Sequence, residues 1–507
     1  MPHAFYAMNI QDEAVPTENS PRKVPGLWVV LLCCVVPALA ISSQSYWIDE
    51  ALTAVKASSP TLATWWERMA TEKASDLQMP LYMLTTWGVV QLFGNAEWVL
   101  RAANLPWFAA GLMAFAFSFR GRQRMFAAAV GALSPFAWFY IDESRPYAMQ
   151  LGASLLVAAS IRQLTKDAEN NAGLTTWLAL FAIGIGVLAG TSLLGVFWCF
   201  AAVVMLVWVK GWSGSLQLLR SARVACVCLA LWLCFLGAYY AWTLKVGARA
   251  SAMATTNWQS PLFIVYELMG FGGLGPGRLE IRAAGFSAFK SCLVPLVFYG
   301  SVIASVMMAG TSGLWRRSRN ETFKVGLVMI ATLLCLVAAG LLLHFRVLGR
   351  HCAPALPVVL VLLIEGVWIV GKWRGAAMMS VMVVLTASCL SARFAERHLK
   401  DDYRAAAARG REAADAGKTV WWSADAQAAE FYGLRISAEQ TNGAMVRLVL
   451  NPDDAALADA ALPDIVICSK PDIYDVHGAL RRKMVAGGFV ETTNHPAFRV
   501  LQRAQGK

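Results

Sequence analysis

Long apolar runs alternate with short polar breaks for almost four hundred positions, and then the pattern changes. The runs cover about 26–43, 98–119, 125–141, 146–163, 175–192, 193–209, 224–243, 291–310, 325–343, 352–371 and 375–391. A run of roughly 20 apolar residues matches the thickness of a bilayer core when helical, so about eleven membrane spans are predicted. A further segment, 79–94, is shorter, begins at Pro80 and holds Gln91. It is predicted to be a juxtamembrane helix lying along the interface. Ala38-Leu39-Ala40 has the small-residue spacing of a signal-peptide cleavage site. The run before it is long for a signal peptide's apolar core and more spans follow, so a retained first helix is expected.

From about 392 charges become dense and the periodicity shortens. Residues 402–416 predict a helix ending near Gly417, and 472–486 a helix stopped at Gly487-Gly488. Residues 419–423, 464–468, 489–493 and 498–502 predict strands. The expected organisation is a loose cytoplasmic tail over 1–25, an all-α polytopic membrane domain over 26–391, and a small α/β domain over 392–507.

Charge decides the orientation. Lys plus Arg number 44 against 32 Asp plus Glu, a formal net charge of +12. With 79–94 not crossing, one side receives Arg22/Lys23, Arg120/Arg122/Arg124, Arg162/Lys166, Lys210/Arg220/Arg223, Arg316/Arg317/Arg319/Lys324 and Lys372/Arg374. Short basic loops mark the cytoplasmic face. The N-terminus is therefore expected inside. Two long loops, 44–96 and 244–290, and the C-terminal domain are expected outside, in the periplasm. The positive charge serves topology, and no nucleic-acid partner is expected.

Composition excludes two broad classes. The chain is 57% hydrophobic and only 15% charged, against about 25% charged in an ordinary soluble domain. It is neither disordered nor a plain soluble enzyme. Most of the eleven cysteines lie in apolar runs, where thiols act as small hydrophobes, and no disulfide framework is implied.

The scarce acids of the first 400 positions are informative. Three charged groups flank predicted outer faces: Trp47-Ile48-Asp49-Glu50, Tyr140 through Asp142, Glu143, Arg145 and Tyr147, and His344 through Arg350-His351. Charges this close to hydrocarbon are costly unless paired or wet, which makes them functional candidates. The residue types suit sugar transfer. One carboxylate can take the proton of an acceptor hydroxyl. A second can orient the acceptor or hold a metal. Arginines and a tyrosine can hold a leaving phosphate as its charge grows. Glu365, inside an apolar run, is an exception that either pairs or reaches the inner face.

These motifs resemble those of the multi-spanning GT-C glycosyltransferases that include protein O-mannosyltransferases and lipid A aminoarabinose transferases. Trp47-Ile48-Asp49-Glu50-Ala51-Leu52-Thr53 is similar to the family's first-loop acidic motif. Pro80-Leu81-Tyr82, on through Leu92-Phe93-Gly94, Glu97 and Arg101, is similar to its juxtamembrane stretch. Glu143-Ser144-Arg145-Pro146-Tyr147-Ala148 resembles the second acidic motif, and Arg350-His351-Cys352-Ala353-Pro354-Ala355-Leu356-Pro357 the late Arg-Tyr motif with its prolines. The chain departs at Gln78-Met79-Pro80, where members often carry His or Lys before two prolines, and at His351, where Tyr is usual.

The resemblance implies a GT-C fold, a polyprenyl-phosphate-linked sugar donor, and a lipid, glycan or protein acceptor, with inversion. It implies Asp49 as catalytic base and Glu143 as the second acid, with Asp142 beside it and Glu50 supporting. Tyr82, Arg145, Arg350, His351 and Arg278 are the candidates for donor phosphate or sugar. Arg145 is equally a candidate structural partner of Glu143. The resemblance fixes no cofactor, and a divalent cation beside Asp49 and Glu143 is a candidate. Loop 244–290, with Lys245, Arg249, Arg278, Arg282 and its glycines around Pro276, has the make-up of a lid or of an interfacial anchor. A transporter or lipid flippase, and a polysaccharide polymerase or ligase, are the alternatives.

Overall fold

The computed structural model describes residues 26–165, 171–247, 256–437 and 445–504. The expected tail over 1–25, with Arg22 and Lys23, lies outside the described residues, as do Lys166 and Arg249.

Each of the eleven apolar runs is helical. They form Gly26–Ala38, Leu105–Phe117, Gly121–Ala132 with Pro135–Ile141, Tyr147–Leu164, Asn171–Thr191, Gly195–Ser221, Arg223–Lys245, Leu293–Arg317, Arg319–Leu342, Leu356–Ile369 and Arg374–Phe394. Among the described residues eight helices are long and apolar enough to cross a membrane, or nine if the pair 121–132 and 135–141, bent by 52°, is one span. The bend has a local cause. Pro135 opens the second piece, and the Ser134 hydroxyl caps it by accepting from the Ala137 amide at 3.3 Å. The Gly26–Ala38 helix is apolar but has only 13 residues. The Tyr147–Leu164 helix is buried along most of its length and carries Gln150, Ser154 and Ser160 inward. Its modest hydropathy reflects neighbours that are protein on nearly every side. Pro80–Phe93 is a 14-residue helix, about 21 Å long at 1.5 Å per residue. That is well short of a bilayer core of roughly 30 Å.

Glycines set two close helix crossings. A methyl group on Gly111 would fall on the Gly152 carbonyl, and one on Gly152 on the Trp107 carbonyl. The same holds for Gly310 against Leu362 and Gly366 against Val306. In lipid no hydrophobic effect drives helices together, so close backbone approach at small residues supplies the packing. The helices over 195–221, 223–245, 293–317 and 319–342 turn Phe200, Val224, Val294 and Leu334 outward, an apolar surface that suits acyl chains.

Among the described residues the C-terminal domain holds five strands: β1 (Val420–Ser423), β2 (Val446–Leu448), β3 (Ile465–Ser469), β4 (Phe489–His495) and β5 (Phe498–Arg503). Their order is β2-β1-β3-β5-β4. β1 runs parallel to β2 and β3, and β5 runs antiparallel to β3 and β4. Tyr403, from the Tyr403–Asp415 helix, packs edge-on against Phe498 at 4.8 Å, with Trp422 beside both. The expected helix over 472–486 is two pieces, Pro471–Tyr474 and Ala479–Ala486. Gly478, at φ +68°, breaks the chain. The Asp475 carboxylate then accepts from the amides of Leu480 and Arg481 at 3.0 Å, capping the second piece. β2 and the short helices Ala426–Phe431 and Asp454–Ala458 were not foreseen, because three to six residues carry too little periodicity.

The domain is fastened to loop 44–96. The Lys400 amide donates to Gln44 Oε1 at 2.9 Å, the Arg404 amide to Ser45 Oγ at 3.0 Å, and the Tyr46 amide to the Tyr432 hydroxyl at 2.8 Å.

Candidate functional site

The helix Ile48–Ala57 begins just after Trp47, so Asp49 and Glu50 stand in its first turn, where helix-end amides favour negative charge. The two acids diverge. Glu50 is fully buried. Arg101 Nε and Nη2 reach its two oxygens at 3.0 and 2.8 Å, the Ser144 amide donates at 2.8 Å, and Lys400 Nζ lies 3.3 Å from both oxygens. Burial opposes its ionisation, but Arg101 and Lys400 outweigh that and hold the carboxyl at about 2. Asp142 is likewise engaged. It accepts from the Ser42 amide at 2.6 Å and the Ser42 hydroxyl at 2.8 Å, with Lys400 at 3.5 Å and Arg101 at 3.8 Å.

Asp49 and Glu143 are not consumed in this way. The Asp49 side chain is 30% exposed, and its ion pair is to Arg350 Nη1 at 3.7 Å. Glu143 is 1% exposed, and among the described residues neither carboxylate oxygen has a hydrogen-bond partner. Burial raises its pKa, against the pull of Arg278, Arg350 and Lys400. The turn that carries it is held by Asn104, whose Nδ2 donates to the carbonyls of Glu143 at 2.8 Å and Ile141 at 3.2 Å.

The candidate cations and donors divide similarly. Arg145 is buried and spent on the protein: it reaches Asp76 Oδ1 at 2.8 Å, Thr53 Oγ1 at 3.0 Å and the Asp49 carbonyl at 3.3 Å. Its carboxylate partner is therefore Asp76. His351 Nδ1 accepts from the Leu348 amide at 3.1 Å and closes its own turn. Arg350 lies over the Tyr147 ring at 5.5 Å. Arg278 lies over Phe139 at 4.1 Å and 3.7 Å from Glu267. Tyr82 is buried, with a hydroxyl that has no hydrogen-bond partner among the described residues.

A cavity of about 160 Å³ opens where the helical domain meets the C-terminal domain. Trp47, Trp138, Phe139, Asp142, Glu143, Arg278 and Arg282 line it together with Arg393, Lys400, Asp401 and Lys470. Of the candidate site residues Asp142, Glu143 and Arg278 line it, as does Arg282 from loop 244–290. Asp49, Tyr82, Arg145, Arg350 and His351 are not in its lining. Sequence reasoning passed over Lys400, Arg393 and Lys470, which lie in or near a charge-dense stretch without periodicity. It also passed over Glu267. That acid accepts from the Gly349 amide at 2.8 Å, next to Arg350, and faces Arg278. Burial raises its pKa, with Arg278 and Arg350 opposing. The scarcity of acids before residue 400 was the signal that would have found it.

Among the described residues no group of three His, Cys, Asp or Glu side chains is placed to hold a metal ion, and the groups facing Glu143 are largely cationic. No chemical step below is routed through one.

Two solved structures share the architecture. The crystal structure of ArnT from Cupriavidus metallidurans bound to undecaprenyl phosphate matches over 94% of this chain and 98% of that chain, with a TM-score of 0.50 and 13% identity. Its apo state matches over 94% and 97%, with a TM-score of 0.51 and 12% identity. No protein-family model and no curated protein sequence matches the chain. At such identities the likeness speaks for the fold alone: like those two structures, the chain has a polytopic helical membrane domain followed by a small α/β domain.

Proposed function

We propose that the protein is a membrane glycosyltransferase that moves a sugar from a polyprenyl-phosphate-linked donor to a lipid, glycan or protein hydroxyl at the periplasmic face of a bacterial inner membrane. The observation that carries this reading is the division among four neighbouring acids. Glu50 and Asp142 are tied down by hydrogen bonds and cations, while Asp49 is engaged by Arg350 at 3.7 Å and the Glu143 oxygens have no hydrogen-bond partner among the described residues. The donor class is supported by the shared fold with a protein crystallised with undecaprenyl phosphate. The inner membrane and its outer face are supported by the gathering of basic residues in short loops on one side of the predicted spans.

In this reading Asp49 is the general base. It removes the acceptor hydroxyl proton as that oxygen attacks the anomeric carbon. The bond from the anomeric carbon to the phosphate oxygen breaks, and its electron pair leaves on the polyprenyl phosphate. A single displacement inverts the anomeric centre. Arg350 and Arg278 stabilise the charge that builds on the phosphate, and the Tyr82 hydroxyl adds a donor. Glu143 orients the acceptor or the sugar through its unpartnered oxygens. Among the alternatives, transport draws on charges within the membrane. The conspicuous one, Glu365, is paired with Arg162 at 3.4 Å.

The test is transfer from radiolabelled lipid-linked sugar by Asp49→Asn in proteoliposomes. Loss of about 100-fold or more in rate, with normal insertion, is expected; turnover near that of the unmodified protein would overturn the role of Asp49.

A further inference from the structure

Lys400 stands just beyond the last membrane helix, Arg374–Phe394, in the segment that leads into the C-terminal domain. Its backbone is anchored to Gln44 at 2.9 Å. Its ammonium group enters the acidic cluster, 3.3 Å from both Glu50 oxygens and 3.5 Å from the Asp142 carboxylate. It also donates to the Asp142 carbonyl, which belongs to the peptide bond joining Asp142 to Glu143. Lys400 thus holds the backbone that carries Glu143, and it lines the same cavity.

The electrostatics need this cation. Glu50, Asp142 and Glu143 are three carboxylates in one buried neighbourhood, and Arg101 is committed to Glu50. A buried carboxyl without hydrogen bonds favours its neutral form, and neighbouring negative charge pushes it further that way. The groups facing Glu143 come from every surrounding element. Cations are Arg278 from the second outer loop, Arg350 from the turn before Leu356, and Lys400; the nearby acid is Glu50 from the first loop. The Tyr140, Tyr147 and Tyr82 phenols also face it. Arg278 and Arg350 are shared with Glu267 and Asp49, whereas Lys400 is bonded to the peptide of Glu143 itself.

We propose that Lys400 is a positioning residue of this site: it fixes the Asp142–Glu143 peptide and neutralises the adjoining acids, so that Glu143 faces the cavity as a carboxylate. The C-terminal domain then completes the site as well as covering it. The idea rests on the transferase reading only for its activity arm.

The test uses the full-length protein in detergent. A carbodiimide, which adds to protonated carboxyl groups, labels Glu143, and peptide mass spectrometry follows labelling against pH. Lys400→Met is expected to move the half-labelling pH upward by about one pH unit, and Lys400→Arg to return it. Lys400→Gln keeps a donor for the Asp142 carbonyl without the charge, and gives the same comparison if the Met variant fails to insert. An unchanged half-labelling pH in the neutral variants, with only a lower melting temperature, would mean a structural ion pair and overturn the proposal. In the transfer assay the acid limb of the pH–rate profile should move upward with the labelling. A shifted label in a protein inactive on every lipid-linked donor supports Lys400 as positioning and refutes the transferase reading alone.

Discussion

The Arg101 guanidinium meets both carboxylate oxygens of Glu50, at 3.0 and 2.8 Å, with neither side chain reachable by solvent. The remaining donors of Arg101 go to the carbonyls of Ser42, Gln44 and Ser45. One fully buried ion pair therefore staples the helix of the first acidic motif to the chain leaving the first membrane helix. Removing one partner strands a buried charge. Arg101→Ala is expected to cost about 3–5 kcal/mol, read as a large fall in melting temperature in detergent. Replacing both partners with apolar residues of similar volume should cost less, because no charge is left unpaired.

Glu143 should behave in the opposite sense. Its unpartnered buried carboxylate is a cost to the folded state. Glu143→Gln is expected to melt at or above the temperature of the unmodified protein while transfer falls by at least about 100-fold. A stable variant with full activity would remove Glu143 from the chemistry.

The same residue predicts a pH dependence. Burial, against the pull of three cations, raises the folded-state pKa of Glu143 above its unfolded value. A raised acid is stabilising in its protonated form and loses that contribution as pH rises through the folded pKa. The melting-temperature advantage of Glu143→Gln should thus be present at neutral pH and vanish below about pH 4, the ordinary carboxyl range. Glu50 has the opposite sign. With a folded value of about 2, its contribution is complete above about pH 4.3 and is lost as pH falls toward 2. Melting curves across this range check both.

Gly152→Ala tests the membrane packing. Its added methyl group would land on the Trp107 carbonyl, where backbone rather than a movable side chain must yield. Loss of folded material on size-exclusion chromatography is expected. Gly88→Ala, where nothing lies within 4 Å, should be silent.

The membrane domain was legible because apolar run length is a property of local sequence and the bilayer fixes the scale. Length alone left 79–94 undecided; the basic loops on one side of the predicted spans chose the non-crossing reading, and its helix has 14 residues. The paired helix over 472–486 was misread as continuous, since the break at Gly478 depends on Asp475 capping the next turn.

The site was legible by residue type and less so by role. Scarcity in an apolar chain made Asp49, Glu50, Asp142 and Glu143 conspicuous before any coordinates. Nothing in their spacing separated the two that are tied down from the other two. That difference lies in contacts across the chain, from Arg101, Ser42 and Lys400. Asp76 took Arg145 from the cavity by the same kind of contact, and Lys400 reached Glu50 from 350 positions away in sequence. Hydrophobic periodicity and bilayer thickness act locally, so they can be read along a chain. Which cation neutralises which buried acid is a matter of angstroms in three dimensions, and only the packed molecule decides it.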